Sequence, residues 1–500
     1  MKRIALGLIA AAVGLFAVPA RALTVDTLRQ SGPVAKRFNM VVLGDGYRAQ
    51  DQAQLSTDAK NITDYIFQST PFKNYASLFN LKLVHVVSTD NGADNGTYGT
   101  TRNTALGAYF NCSNIDRLLC IDVATAQKIA ADNVAEVNLV LVVVNDPKYG
   151  GSGGDTLAVS TNSQSFEIAA HEIGHTLAKL ADEYDAAANY APCDTTTDCT
   201  EGNVTLRNTR DKVKWNSWID AATPVPTPPT SQYMSAVGLF EGARYLTTGV
   251  YRPWENCKMR VLGSDYCPVC KEQFVLHYWN LQNINLIEDA QPTGTVTSGD
   301  CNPVSLTVTD PPLTPSTYKY TWTVDGKTDP TTTNTFSGSP TALGNGTHQI
   351  KVLVQDTTTF VRDDPNQLLQ DQHSWTVNVT KADCGVVNTG GAGGMGGASG
   401  ASGASGAGAG GALAGGTGGS SGASGASGAN SIAGNAAGGA AGSSTTMQPS
   451  AGSTSANAPP PEAVTCNCGV AGTPARSGYA LFGALALGAT LARRKRRPIR

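Results

Sequence analysis

The chain of 500 residues carries 55 glycines, only 15 % charged residues and a formal net charge of −3, a composition that excludes a coiled coil and one large charged globule. The charge conceals a polarity. Lys2, Arg3 and Arg21 sit at the start and Arg493, Arg494, Lys495, Arg496, Arg497 and Arg500 at the end, and without those nine cations the −3 becomes −12. An acidic body argues against a nucleic-acid binder, which needs clustered Lys and Arg on the folded domain.

Lys2 and Arg3 precede an apolar run, Ile4 to Val18, that ends at Pro19 and at Ala20-Arg21-Ala22, the small-x-small pattern of a signal-peptidase site. The run is shorter than the about 20 apolar residues of a membrane span. Residues 1–22 are therefore expected to be a signal peptide, and the body to be exported.

From Phe38 the chain reads Phe-Asn-Met-Val-Val-Leu and then Gly44-Asp45-Gly46, a buried strand closed by a turn. A helical pattern follows over Asp51 to Phe67, and Leu81 to Val87 and Val137 to Val144 are β-branched apolar runs of strand length. These elements predict an α/β layer with a long insertion. Asp90, Asn91, Asp94 and Asn95 lie in that insertion, but their spacing departs from a calcium-binding EF-hand and a polar loop is expected.

After Gly150-Gly151-Ser152-Gly153-Gly154 comes a predicted strand, Thr156 to Ser160, and then a helix carrying His171-Glu172-Ile173-Gly174-His175. Histidines at i and i+4 leave one face of a helix together, so both imidazoles can meet a single tetrahedral zinc, with Glu172 beside the attacking water. Zinc acidifies water and polarises a carbonyl, and the glutamate moves the proton. Leu180-Ala181-Asp182-Glu183-Tyr184 follows. In a continuous helix Asp182 would lie about 10 Å beyond His175 along the axis. If Asp182 is the third ligand the helix must break near Ala178 to Leu180; Glu183 is the substitute.

This string, with Val-Val-Leu-Gly-Asp-Gly-Tyr at Val41 to Tyr47, Pro71-Phe72-Lys73, Phe79-Asn80 and Tyr149 to Gly154 before it, resembles the IgA-peptidase family of metalloendopeptidases, the igalysin branch of the metzincins, over about residues 35 to 285. The resemblance implies a metzincin-like α/β (α+β) zinc-protease domain, with His171, His175 and Asp182 as zinc ligands and Glu172 as general base. It also implies a Met-turn beneath the metal, for which Met259 is the match and Met234 the runner-up, and makes Thr156 to Ser160 the edge strand that pairs with an extended peptide substrate. The sequence departs from the family at Ala178 and Lys179, where members usually carry glycine and its easy access to positive φ. Between the zinc motif and the Met-turn, proline-rich Thr223 to Thr230 reads equally as a cleft wall or a surface linker.

Pro292 to Cys384 alternates in strand-like fashion at Val304 to Val308, Tyr318 to Val324 and Ile350 to Val354, with turns at Asp325-Gly326 and Gly344-Asn345-Gly346. This predicts an all-β, Ig-like sandwich. Asn388 to Pro461 consists largely of Gly, Ala and Ser and lacks the apolar side chains to fold, so it reads as a disordered stalk. Cys466-Asn467-Cys468-Gly469, apolar Ser477 to Ala492 and the terminal cations then resemble the sorting tails processed by myxosortase-type enzymes; a permanent single-span anchor is the alternative. The expected organisation is 1–22 signal peptide, 23–290 peptidase, 291–385 sandwich, 386–463 linker and 464–500 sorting tail.

In an exported chain most of the 11 cysteines are expected in disulfides. Cys112 with Cys120, Cys193 with Cys199, and Cys301 with Cys384 are the plausible pairs. Cys257, Cys267 and Cys270 remain, and a disulfide among them is favoured over Cys267-Pro268-Val269-Cys270 as half a zinc site. The expected function is a surface-tethered zinc endopeptidase acting on proteins or peptides and held to the cell envelope by its tail. The rivals are a non-catalytic adhesin on a protease fold and a zinc hydrolase of another amide, such as cell-wall peptide.

Overall fold

The computed structural model describes residues 23–96, 99–186 and 193–384. The segments expected to be signal peptide, linker and sorting tail, with Cys466 and Cys468, lie outside them. The described residues form a mixed α+β structure with several sheets and few helices, and no helix among them is long and apolar enough to cross a membrane.

The first sheet has six strands in the order β1 (Val25–Arg29), β3 (Phe79–Val84), β2 (Phe38–Asp45), β6 (Leu139–Val144), β8 (Thr156–Ser160) and β7 (Gly151–Ser152). Neighbours β3, β2, β6 and β8 run parallel, and β1 and β7 are antiparallel to theirs. The continuous apolar runs of β2 and β6 follow from covering both faces of a parallel sheet. Met40, Val42, Leu141 and Val143 pack with Leu55 and Ile62 of α1 (Gln52–Gln68) and Ile168 and Ile173 of α3 (Ser165–Ala178). Val41, Leu43, Val140 and Val142 pack on the other side with Ala126 and Ala130 of α2 (Val123–Asn133).

The end of β2 anchors the insertion between β3 and α2, which contains the paired short strands β4 (Asp94–Asn95) and β5 (Tyr109–Phe110); Gly44 and Asp45, expected in a turn, are the last residues of the strand, and the chain turns at Gly46. The fully buried Asp45 carboxylate accepts the backbone N–H groups of Leu106 and Ala108 and the Thr104 hydroxyl. Gly46 has φ +70°, and a Cβ there would meet the Gly92 carbonyl oxygen at 2.2 Å. The Asp90 and Asp94 carboxylates accept backbone N–H groups of Asn103 and Arg102, as a polar loop requires.

One strand differs from expectation. β8 is not the sheet edge, because the glycine-rich segment folds back as β7 and pairs Gly151 with Val159 and Ser152 with Ala158. Leu118 of the insertion bridges to Gly151 beyond it, so at Ala158 and Val159 the edge that was expected to receive a peptide is covered by the chain itself.

After α3, β9 (Phe240–Ala243) and β10 (Leu246–Arg252) form a hairpin, and α4 (Pro268–Asn280) packs on α3. The proline-rich loop is tied to the approach to β9, with the Thr227 N–H donating to the Leu239 carbonyl at 2.7 Å. Two sheets follow. One holds β11 (Asp289–Gln291), β13 (Val304–Thr309) and β16 (Thr335–Gly338); the other holds β12 (Val296–Ser298), β18 (Gln370–Val379), β17 (Gly346–Asp356), β14 (Tyr318–Val324) and β15 (Lys327–Asp329), with a one-turn helix, α5 (Pro340–Leu343), between β16 and β17. They meet over Trp322, which stacks on Trp375 at 5.6 Å and lies 5.5 Å from Phe336.

Core residues of these sheets and of the α/β part belong to one hydrophobic cluster. At the junction, the buried Asp356 carboxylate accepts hydrogen bonds from Tyr75 Oη at 2.7 Å and Trp279 Nε1 at 2.9 Å. Three disulfides join the expected pairs, Cys112–Cys120, Cys193–Cys199 and Cys301–Cys384. The disulfide expected among the other three cysteines is not formed: Cys257, Cys267 and Cys270 are buried thiols.

Candidate metal centre and active site

Helix α3 begins with Glu167 in its first turn, where a carboxylate complements the helix dipole, and buries Ile168, Ala169, Ile173 and Leu177. Its histidines keep 12 % and 25 % side-chain exposure, so the face they share is reachable from solvent. The helix stops at Lys179, which takes the left-handed conformation (φ +53°) without a glycine, and the Leu180 N–H closes on the Gly174 carbonyl at 3.1 Å. That turn reverses the chain and brings Asp182 back over the helix.

His171 Nε2, His175 Nε2 and Asp182 Oδ1 converge. The two nitrogens are 3.1 Å apart, and the oxygen lies 2.9 Å from His171 and 3.3 Å from His175. A tetrahedral cation with ligand distances of about 2.0–2.2 Å has edges of about 3.3–3.6 Å, and the triangle is drawn slightly tighter around the same point, the size of a metal site. Both Nδ1 atoms face backbone carbonyls, His171 that of Lys258 at 3.0 Å and His175 that of Leu180 at 2.7 Å. A proton on each Nδ1 leaves both Nε2 lone pairs aimed at the shared point. Asp182 Oδ1 is buried and receives no well-directed hydrogen bond, the condition of an oxygen that needs a cation.

The electrostatics agree. Burial alone pushes the His175 imidazole down, but the Asp182 carboxylate overrides it and raises the group to about 10; His171 is raised for the same reason. Burial pushes the Asp182 carboxyl up, and the two histidines outweigh it and hold it well below the usual carboxylate range. The site demands positive charge at its centre.

Glu172 is partly exposed, and no hydrogen bond engages its carboxylate among the described residues. It lies against the glycine-rich loop: a Cβ on Gly153 would come within 2.2 Å of Glu172 Oε2. The Thr176 hydroxyl ties the helix to that loop through the Gly154 carbonyl at 2.9 Å.

Met259 is fully buried beneath the helix at Gly174, where a Cβ would meet its Sδ at 2.7 Å; Met234 is only partly buried. The segment around Met259 is a scaffold for the centre. Its Lys258 carbonyl faces His171, and its own carbonyl accepts the Glu183 N–H at 2.8 Å. Glu183, the substitute ligand, turns away from the histidines toward Asn203 Nδ2 at 2.9 Å and Cys270 Sγ at 3.1 Å.

Sequence reasoning missed Tyr245, whose hydroxyl donates to Asp182 Oδ2 across 63 positions of sequence, and the Gly153 contact with Glu172. No local pattern announces the tyrosine. The run of glycines was visible but read only as a family mark.

A model of the IgA peptidase M64 family matches residues 27–234 and 229–276, half of the chain. No curated protein matches. Among solved structures, a Bacteroides ovatus SGBP-B of a mixed-linkage glucan utilization locus, in complex with a mixed-linkage heptasaccharide, is 21 % identical over 17 % of this chain and 20 % of its own, with a TM-score of 0.13. An endo-beta-1,4-mannanase from Thermotoga petrophila is 12 % identical over 68 % of this chain and 65 % of its own, also with a TM-score of 0.13. Scores of that size establish no common fold.

Proposed function

We propose that this chain, which belongs to the M64 family of IgA peptidases and is therefore a peptidase, is an exported zinc-dependent endopeptidase that cleaves polypeptides with Glu172 as general base. The observation that carries the reading is the convergence of His171 Nε2, His175 Nε2 and Asp182 Oδ1 on one point, one residue from a carboxylate with no competing hydrogen bond. When bound there, zinc would polarise a scissile carbonyl and acidify water. Glu172 takes the proton of the attacking water and returns it to the departing amine. Lys258 and Leu180 hold the imidazole tautomers through their carbonyls, and Tyr245 holds Asp182.

Met259 under the helix and the turn at Lys179 support a metzincin-like peptidase part. The two sheets over Trp322 and Trp375 support an Ig-like sandwich behind it. Export and attachment to the cell envelope rest on the sequence of both ends, the apolar run before Ala20-Arg21-Ala22 and the Cys466-to-Arg500 tail.

The test is cleavage of an unfolded protein by the purified exported chain, with metal analysis. Wild type should cleave, and a chelator should abolish cleavage. Glu172→Gln should keep its metal and lose about 10²–10⁴-fold in turnover. Undiminished turnover by Glu172→Gln would overturn the assignment of the base.

A further inference from the structure

Beneath the centre, Cys257, Cys267, Cys270 and Glu183 bring one donor atom each to within 4.8 Å of one another, and all four are buried. We infer that they form a second metal site, a closed structural zinc site with three thiolates and one carboxylate, separate from the site of His171, His175 and Asp182.

The donor atoms cluster within a few tenths of an ångström of the spacing of ligands around a tetrahedral ion. Cys257 Sγ lies 3.5 Å from Cys270 Sγ, and Cys270 Sγ lies 3.1 Å from Glu183 Oε1. Zinc with sulfur at about 2.3 Å and oxygen at about 2.0–2.2 Å has edges of about 3.8 Å between sulfurs and about 3.5 Å between sulfur and oxygen. A disulfide needs about 2.05 Å, and three sulfurs cannot all be paired among themselves.

The surroundings are arranged as an outer shell. Cys267 caps the N-terminus of α4 with Pro268 at the first helical position, and its sulfur accepts the Cys270 N–H at 3.4 Å. The Cys257 sulfur accepts the Cys267 N–H at 3.3 Å. Asn203 Nδ2 donates to Glu183 Oε1, while Glu183 Oε2, fully buried, has no hydrogen-bond partner among the described residues. Arg252 acts on Glu183 through its field, but its hydrogen bonds go to Glu255 and to the Glu241 and Gly242 carbonyls. A divalent cation gives the orphaned carboxylate the charge it lacks, and the α4 N–H groups and Arg252 offset the excess of the thiolates.

The placement gives the site a task. Glu183 follows Asp182, and Cys257 precedes Met259 by two residues. Zinc here would staple the loop that carries the Asp182 carboxylate to the segment that supports the helix, as a structural zinc replaces hydrophobic core where two loops meet.

Metal analysis of the purified exported chain tests this. Wild type should hold two zinc ions and His171→Ala/His175→Ala one, so loss of the peptidase metal and loss of this one are read separately. Mercurial modification of the wild-type thiols should release one zinc to a chromogenic chelator. Cobalt in His171→Ala/His175→Ala should show thiolate-to-metal charge-transfer absorption, which Cys267→Ser weakens and Glu183→Gln retains with shifted ligand-field bands. A single zinc in wild type that mercurials do not release, or peptide mapping that finds two of the three cysteines in a disulfide, would overturn the site.

Discussion

Met259 sits where a side chain on Gly174 would be: a Cβ at that glycine would lie 2.7 Å from the Met259 sulfur and 3.2 Å from its methyl carbon. Replacing a mid-helix glycine by alanine normally stabilises a helix by about 0.5–1 kcal/mol. Here Gly174→Ala is expected to destabilise by about 1–3 kcal/mol, because overpacking forces the methionine aside. Shortening the methionine should relieve the strain. Denaturant titrations of Gly174→Ala, Met259→Ala and the double variant should therefore give a favourable coupling energy, and additive effects would place the two side chains apart.

Gly153 offers a milder probe of the carboxylate. A methyl group there would push Glu172 away from its place, since 2.2 Å is far inside contact distance. Gly153→Ala should lower turnover by about 10²-fold, the cost of a displacement of about 1 Å, with metal content unchanged. Parallel assays of cleavage and zinc on one preparation decide it.

Tyr245→Phe removes the hydroxyl that orients Asp182 without touching the imidazoles. Metal affinity, measured by competition with a chelator, should fall about 10–100-fold, as for other outer-shell partners. An unchanged affinity would mean that the turn at Lys179 alone fixes the carboxylate.

Glu167 receives Lys258 Nζ, the Tyr65 hydroxyl and the Gly263 N–H. Burial raises its carboxyl, but Lys258 and the other donors outweigh that and hold it below the ordinary 4.5. A depressed carboxylate contributes stability above its unfolded pKa and loses it as pH falls through the folded one. Glu167→Gln should thus cost about 1 kcal/mol near neutrality, solvent screening the partly exposed pair, and the gap from wild type should close well below pH 4.5. Urea unfolding at the two pH values reads the difference.

The histidine spacing and the apolar runs of β2 and β6 were legible because each is a local pattern with one physical solution. The turn that Asp182 requires was legible as a geometric necessity, yet no glycine marks it; Lys179 adopts the left-handed conformation under the constraint of the surrounding packing. The covered edge of β8 was not legible, since a run of glycines signals a loop and only tertiary contact with Leu118 and Val159 makes it a strand. Counting cysteines favoured a disulfide in the last trio because sequence separation does not show that Cys257, Cys270 and Glu183 meet.

Asp356 ends β17 in the two-sheet region but is the acceptor on which Tyr75 and Trp279 of the α/β part end. A chain ended near residue 290 would keep every residue of the metal centre and still lose this acceptor. Two aromatic donors would be stripped of their partner and an apolar seam laid open to water. The two-sheet region is thus a wall of the peptidase's own core, and shortening the protein to the part that carries the candidate centre should yield an aggregating fragment rather than a minimal enzyme.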